Sequence, residues 1–393
     1  MNRSFWIVAL IAFANSLSFT ILIPILYLYG RQFGLNNFQT SLLFSTYAIA
    51  QFFATPVIGK LSDRLGRKPL LILSLAGTVI ANFLAGTATT VAILFLARFL
   101  DGITGGNASV AQAVISDVTT PETRAKGFGI YGATFGLGFV LGPALSLLAQ
   151  QISLGAGFLV SSAIALIALI ITVFFLPETL TTKADKSHNI FDLGLSSLIT
   201  GLVIPKVGIL LVINFLIGTT FTIFTFAFQP YFLEVLGQDN KGLTLMFFAF
   251  GVLGVLMQLQ GIKILTRKFS LVNILLLALL IRSVSFTLMP IFPNVVYFVC
   301  VSIIFSLFNS LVQPMITTLI SLNATPDTQG TVIGLNTSYL NVSNAFGPII
   351  AGLLVNQNNP VTYSYPLYVA GSLTFIVLLF AIATRKQYTP NAT

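Results

Sequence analysis

Apolar runs long enough to cross a bilayer recur along almost the whole chain, separated by short polar breaks. They fall at 5–29, 39–59, 69–89, 91–116, 127–151, 155–176, 207–232, 242–264, 270–290, 294–319, 330–355 and 364–384. This pattern predicts an all-α, polytopic membrane protein with twelve transmembrane helices. The one long polar segment, Pro177 to Asp192, divides the spans six and six. The expected organisation is a six-helix bundle over 1–176, a cytoplasmic linker over 177–206, and a second six-helix bundle over 207–393 that ends in a short tail.

The two halves repeat. Thr120-Pro121-Glu122-Thr123 returns as Thr325-Pro326-Asp327-Thr328, and Gly142-Pro143 returns as Gly347-Pro348, both at a spacing of 205 residues (121 to 326, 143 to 348). Pro24 precedes Pro230 by 206. Matches at nearly one offset, in corresponding spans, point to duplicated halves that are pseudo-symmetric. Repeats of this kind place a substrate path between them near the bilayer midplane.

Composition agrees: of 393 residues, 56% are hydrophobic and 7% charged. With a mean hydropathy of +0.95, the chain lacks the polar surface of a soluble protein. A net charge of +9 raises the question of nucleic acid, but the bases are spread over the loops of one side. With the N-terminus inside, the cytoplasmic loops hold nearly all of the assigned bases, and the other side holds only Arg31 and Lys241. The expectation is therefore a multi-pass protein of the plasma (cell inner) membrane, both termini cytoplasmic, with lipid as its surroundings and no nucleic-acid partner. A monomer is expected. No cleavable signal peptide is needed, because residues 5 to 29 are too long for one. The single Cys300 forms no internal disulfide, and the single His188 lies in the polar segment, so no metal site is expected.

The densest charge is in Gly59-Lys60-Leu61-Ser62-Asp63-Arg64-Leu65-Gly66-Arg67-Lys68-Pro69, read as a tight turn in which Gly59 and Gly66 allow close backbone approach. The pattern G-x-L-x-D-R-x-G-R-K-P resembles the loop between helices two and three of the major facilitator superfamily. That resemblance implies a transporter fold in which this loop's charges hold one conformation and release another. Gly59, Asp63, Arg64, Gly66, Arg67, Asp117 and Arg124 are the expected latch, with Lys126 close by. A solvated positive-inside turn is the plainer alternative.

The fourth span contains Arg98 and Asp101, three residues apart on one face. Asp101 is ten residues into the span, about 15 Å deep. Arg98 with Gly102 resembles the superfamily's fourth-helix R-x-x-x-G motif, whose arginine is linked to proton coupling; the departure is Asp101, where a small or amide residue is usual. Two readings stay open: Asp101 binds and releases a proton, or the two form a permanent pair. In the fifth span, Gly138, Gly142 and Pro143 resemble the fifth-helix motif associated with antiporters, although Ser146-Leu147 replaces its last glycines. Small residues at this spacing also serve plain helix packing.

The first half most resembles the tetracycline and multidrug proton antiporters, with Asn15 where the tetracycline pumps carry an acid. Candidate cavity residues are Asn15, Gln112, Asn214, Gln229, Arg282, Gln313 and Asn341, polar positions among many phenylalanines. No nucleotide-binding or nucleophile motif is present, so neither an enzyme nor a cofactor is expected, and a proton gradient is the expected energy source. The functional expectation is proton-coupled efflux of amphipathic small molecules by alternating access. A metabolite importer or facilitator, or a transporter-like receptor, remains the alternative.

Overall fold

The computed structural model describes residues 3–180, 195–324 and 329–389, and the apolar runs within them are helical. In chain order the helices are α1 (Arg3–Gln32), α2 (Asn37–Leu65), α3 (Arg67–Gly86), α4 (Val91–Thr104), α5 (Asn107–Val118), α6 (Pro121–Ala149), α7 (Ala156–Phe175) and α8 (Leu195–Val203). They continue as α9 (Val207–Pro230), α10 (Asn240–Leu256), α11 (Ile262–Leu265), α12 (Leu271–Leu288), α13 (Val295–Asn323), α14 (Gln329–Leu354) and α15 (Tyr365–Tyr388). Wide π turns at Tyr231–Val235 and Met257–Gly261 extend α9 and join α10 to α11. No strand occurs among the described residues. Eleven helical segments among them are long and apolar enough to cross a membrane. The remaining expected span is α14, 26 residues long and interrupted by Asn336, Asn341 and Asn344.

The structure corrects two local expectations. The stretch 59–69 is not a loop: α2 runs through to Leu65 and α3 begins at Arg67. Gly66 alone makes the turn, at φ 119, a conformation that side-chain-bearing residues avoid. Gly59 makes no close approach; a Cβ there would meet nothing within 4 Å. Second, the fourth span is broken into α4 and α5 at Gly105-Gly106. A side chain at Gly106 would run into Ile58 of α2, so the glycine lets the two segments close up. Beyond its polar stretch, the expected linker contains the apolar helix α8. The rest of it from 181 to 194, with His188, and residues 325–328 lie outside the described residues, as do the side chains of Arg124 and Lys126.

Glu178, expected in that linker, instead closes the α2–α3 turn. Gly66 has no side chain to cap α3, so the first amides of α3 need an acceptor from elsewhere. Glu178 supplies it: its carboxylate accepts from Arg67 N at 2.9 Å and Lys68 N at 3.1 Å. It also accepts from Thr179 N at 2.9 Å and Leu180 N at 3.0 Å. Burial pushes this carboxyl upward, but the four amide donors outweigh it and hold it below its ordinary value.

Packing groups the chain into two units. The first comprises Met1–Gly34, Thr46–Leu193 and Asn240–Gly251; the second comprises Leu35–Ser45, Gly194–Asp239 and Val252–Thr393. Within the first, Gln150 Nε2 donates to Thr244 Oγ1 at 2.8 Å. Within the second, Asn37 Nδ2 donates to Tyr363 Oη at 3.3 Å.

One close helix pair of the first unit is repeated in the second. In the first unit, Gly138 and Gly142 of α6 lie against Ser16 and Thr20 of α1, with no room for a Cβ at either glycine. Thr20 Oγ1 donates to Gly138 O at 2.8 Å. In the second unit, Gly347 of α14 lies against Thr222 of α9. Thr222 Oγ1 donates to Ser343 O at 3.0 Å. Ser343, the counterpart of Gly138, meets Gly218 of α9, so here the glycine has changed sides while the close approach is kept. Small residues are the means by which membrane helices gain contact without a hydrophobic driving force.

Two predictions follow from this packing and from the Glu178 cap. Gly142→Val and Gly347→Val each overfill a helix pair and should cost about 1–3 kcal/mol. Thermal unfolding of detergent-purified protein should show both losses, while Gly132→Val, where a Cβ meets nothing within 4 Å, leaves the midpoint unchanged. The Glu178 cap stabilises the fold fully above the ordinary carboxyl value of 4.5 and loses that contribution as pH falls through the lowered one. Thermal midpoints taken between pH 7 and 3 should therefore fall more steeply for wild type than for Glu178→Gln.

Candidate functional site

Helix α4 is inverted relative to a soluble helix. Leu96, Phe99 and Ile103 are exposed, whereas Arg98 and Asp101 are buried. Their spacing places them one above the other on one helix face. Arg98 Nη1 donates to Asp101 Oδ2 at 3.2 Å. From α3, Thr78 and Asn82, also one turn apart, lie close to the same carboxylate, and Asn82 Nδ2 donates to the Thr78 carbonyl at 2.9 Å. From α2, the Tyr47 ring lies over the Arg98 guanidinium at 4.5 Å. One turn on, Gln51 Nε2 donates to Tyr47 Oη at 2.9 Å and to Gly105 O at 3.0 Å, the carbonyl freed by the α4–α5 break. Gly102 makes this approach possible, since a Cβ there would strike Ala50 and the Tyr47 carbonyl.

The site is thus one carboxylate and one guanidinium in an apolar span, with neutral polar side chains near the acid and an aromatic face on the base. Ionised, the pair is neutral overall. Protonation of Asp101 would leave Arg98 with Tyr47, and its Nε has no partner among the described residues. A group that changes charge at this depth changes the local energy by kilocalories, enough to bias a two-state protein.

A second cluster gathers at the α2–α3 turn. Arg67 is 8% exposed and donates to Asp63, to Ser62 Oγ at 2.7 Å and, through Nε, to Asp117 Oδ2 at 3.0 Å. Thr179 Oγ1 donates to Asp117 as well, at 3.4 Å. Three expected latch residues, Asp63, Arg67 and Asp117, therefore meet in the first unit. Arg64 is partly buried beside them, and the side chain of Arg124 lies outside the described residues.

The uncharged candidates form separate pairs. Asn15 Oδ1 accepts from Asn107 Nδ2 at 2.9 Å, and Gln112 lies close to Tyr131. In the second unit, Gln313 Nε2 donates to Asn214 Oδ1 at 3.0 Å, and Asn214 Nδ2 donates to Asn336 Oδ1, joining α13, α9 and α14. Gln229 is fully buried and donates to Thr225 O at 3.1 Å, while its Oε1 has no partner among the described residues. Asn341 is partly buried on α14. Arg282 is 1% exposed, so it does not line an open cavity. It donates to Ile217 O at 2.8 Å and Thr220 Oγ1 at 2.7 Å, and lies over Phe286 at 5.2 Å. Pro143 lies within α6, one residue beyond the Gly142 contact.

Sequence reasoning missed Tyr47, Gln51, Thr78, Asn82 and Asn107. Thr78 and Asn82 did carry a signal, two polar residues four apart in an apolar helix. Tyr47 carried none, as one aromatic among 12% aromatic residues.

The sequence profile of the Major Facilitator Superfamily matches residues 8–343 and 210–393. Tetracycline resistance protein, class B, of Escherichia coli is 27% identical over 404 residues, covering 100% of this chain and 98% of that one. Multidrug resistance protein 2 of Bacillus subtilis (strain 168) is 27% identical over 387 residues, 95% and 93% of the two chains. A higher identity, 36% to tetracycline resistance protein, class E, of Escherichia coli, spans only 54% of either chain. The human organic anion transporter MFSD10 superposes with a TM-score of 0.73 at 21% identity, covering 96% of this chain and 99% of that one, a likeness of fold. The profile, the full-length relatives and the helical architecture agree: this chain belongs to the Major Facilitator Superfamily, and is a membrane transporter rather than an enzyme.

Proposed function

We propose that the chain is a proton-coupled antiporter that exports amphipathic small molecules by alternating access. The observation that carries this reading is the buried Arg98–Asp101 pair, a protonatable group with a built environment inside a membrane span. An intramembrane carboxylate costs roughly 2.5–3.5 kcal/mol even on the gentler scale, and such groups are kept where they work. The printed names of the full-length relatives, tetracycline and multidrug resistance proteins, support an amphipathic substrate and an export direction.

In this cycle Asp101 takes a proton from one side and releases it to the other. Arg98 answers its charge when it is ionised, and Thr78 and Asn82 are the neutral polar side chains beside it. The Asp63–Arg67–Asp117 cluster is the conformational latch: its contacts hold one state and break in the other. Asn15 and Gln112 in the first unit, and Gln313 and Asn341 in the second, are the candidate positions that are not buried, and they supply hydrogen bonds for the substrate. No cofactor is needed when the proton gradient drives transport. In this reading both termini are cytoplasmic, which the excess of bases in the loops of one side supports, and the protein acts as a monomer in the plasma (cell inner) membrane.

Two measurements test the proposal. In everted vesicles with a pre-formed proton gradient, ethidium, other cationic dyes and tetracyclines are added in turn. At least one should dissipate the gradient with wild type and none with Asp101→Asn. Equal responses would make Asp101 a structural partner of Arg98, and silence across the panel with inserted protein would favour a metabolite carrier. Separately, Asp63→Asn should lower dye export at unchanged expression, and unchanged export would remove the latch.

A further inference from the structure

A buried carboxylate that cycles between two charge states leaves its partner cation exposed to the apolar interior for half of the cycle. At Arg98 that difficulty is acute. Among the described residues its guanidinium has one ionic partner, Asp101, and its Nε has none. The groups that face the pair are Tyr47 and Gln51 from α2, and Thr78 and Asn82 from α3. None of these carries a formal charge when Asp101 is protonated, apart from Arg98 itself. The Tyr47 ring is the one positioned to answer the cation, 4.5 Å from the guanidinium carbon. Aromatic faces attract cations most strongly where water is excluded.

The ring is also held in place. Its hydroxyl accepts from Gln51, which bonds the carbonyl of Gly105 at the break between α4 and α5. Gly102 brings the Tyr47 backbone against α4. The position of the ring is thus tied to the helix that carries both charges.

We propose that Tyr47 is a positioning residue of the proton site, whose ring face supports Arg98 while Asp101 is protonated, with Gln51 holding the ring against the α4–α5 break. The proposal rests on the reading of Asp101 as the proton carrier. It makes Tyr47 part of the coupling machinery rather than helix packing. Without the ring, Arg98 depends on the Asp101 carboxylate alone, which favours the ionised form. Proton uptake then needs a lower pH.

The test is a pH titration of the purified full-length protein, followed through the infrared carboxylic-acid band of Asp101, assigned by its loss in Asp101→Asn. Tyr47→Phe keeps the ring face and should titrate within a few tenths of a unit of wild type. Tyr47→Leu and Tyr47→Met remove the face and should titrate about one pH unit lower, the size expected for a desolvated cation–π contact. The methionine variant fills the space better and carries the test should the leucine variant fail to fold. Identical midpoints for all of the variants would overturn the role of Tyr47 and leave the Asp101 site standing. An Asp101 band absent from wild type at every pH would overturn the proton site itself, and this proposal with it.

Discussion

The constraint on which the first unit turns is that two opposite charges lie inside a span that is otherwise apolar. Arg98 and Asp101 neutralise each other at 3.2 Å, and the surrounding helices are arranged to permit it. α3 places the neutral polar side chains Thr78 and Asn82 near the acid, and α2 supplies an aromatic face to the base. The glycines at 102, 105 and 106 allow α2 to approach closely enough to do so. Breaking a pair like this by removing one partner leaves an uncompensated buried charge, which is why a change of protonation there can have a large effect.

Around that site the scaffold is simple. A helix pair repeated in both units, α1 with α6 and α9 with α14, relies on glycine facing serine or threonine. The threonine hydroxyls return hydrogen bonds to the opposite backbone. The two units use the same geometry with Gly138 and Ser343 exchanging roles, so the duplication survives in the contacts where the residue identities have drifted. The charged sites have not been duplicated in the same way. Position 306, which the repeat spacing places opposite Asp101, is a serine, and the second unit's buried cation, Arg282, rests on a carbonyl, a hydroxyl and aromatic rings.

Much of the fold was legible because lipid imposes a one-dimensional rule: long apolar runs must be helices, and the bases between them report a side. The pairing of Arg98 with Asp101 was legible for a similar reason, since three-residue spacing fixes a helix face. What escaped was whatever depends on a neighbour distant in sequence. Glu178 read as one acid of a polar linker, yet its carboxylate caps a helix that begins 111 residues earlier, at Arg67. Nothing local marks such a cap. The break at Gly105-Gly106 was hidden because hydropathy continues through it, and only the packing of Ile58 and Gln51 explains it. Tyr47 was indistinguishable from other aromatics until Arg98 was seen beneath it.

If the buried pair couples substrate to protons, the coupling must run in both directions. The most direct measurement uses proteoliposomes that contain this protein alone, loaded with a substrate dye and diluted into dye-free medium with no applied pH gradient. Dye efflux should then drive protons inward, and Asp101→Asn should abolish that proton movement. Dye efflux through the wild-type protein with no accompanying proton movement would contradict the account.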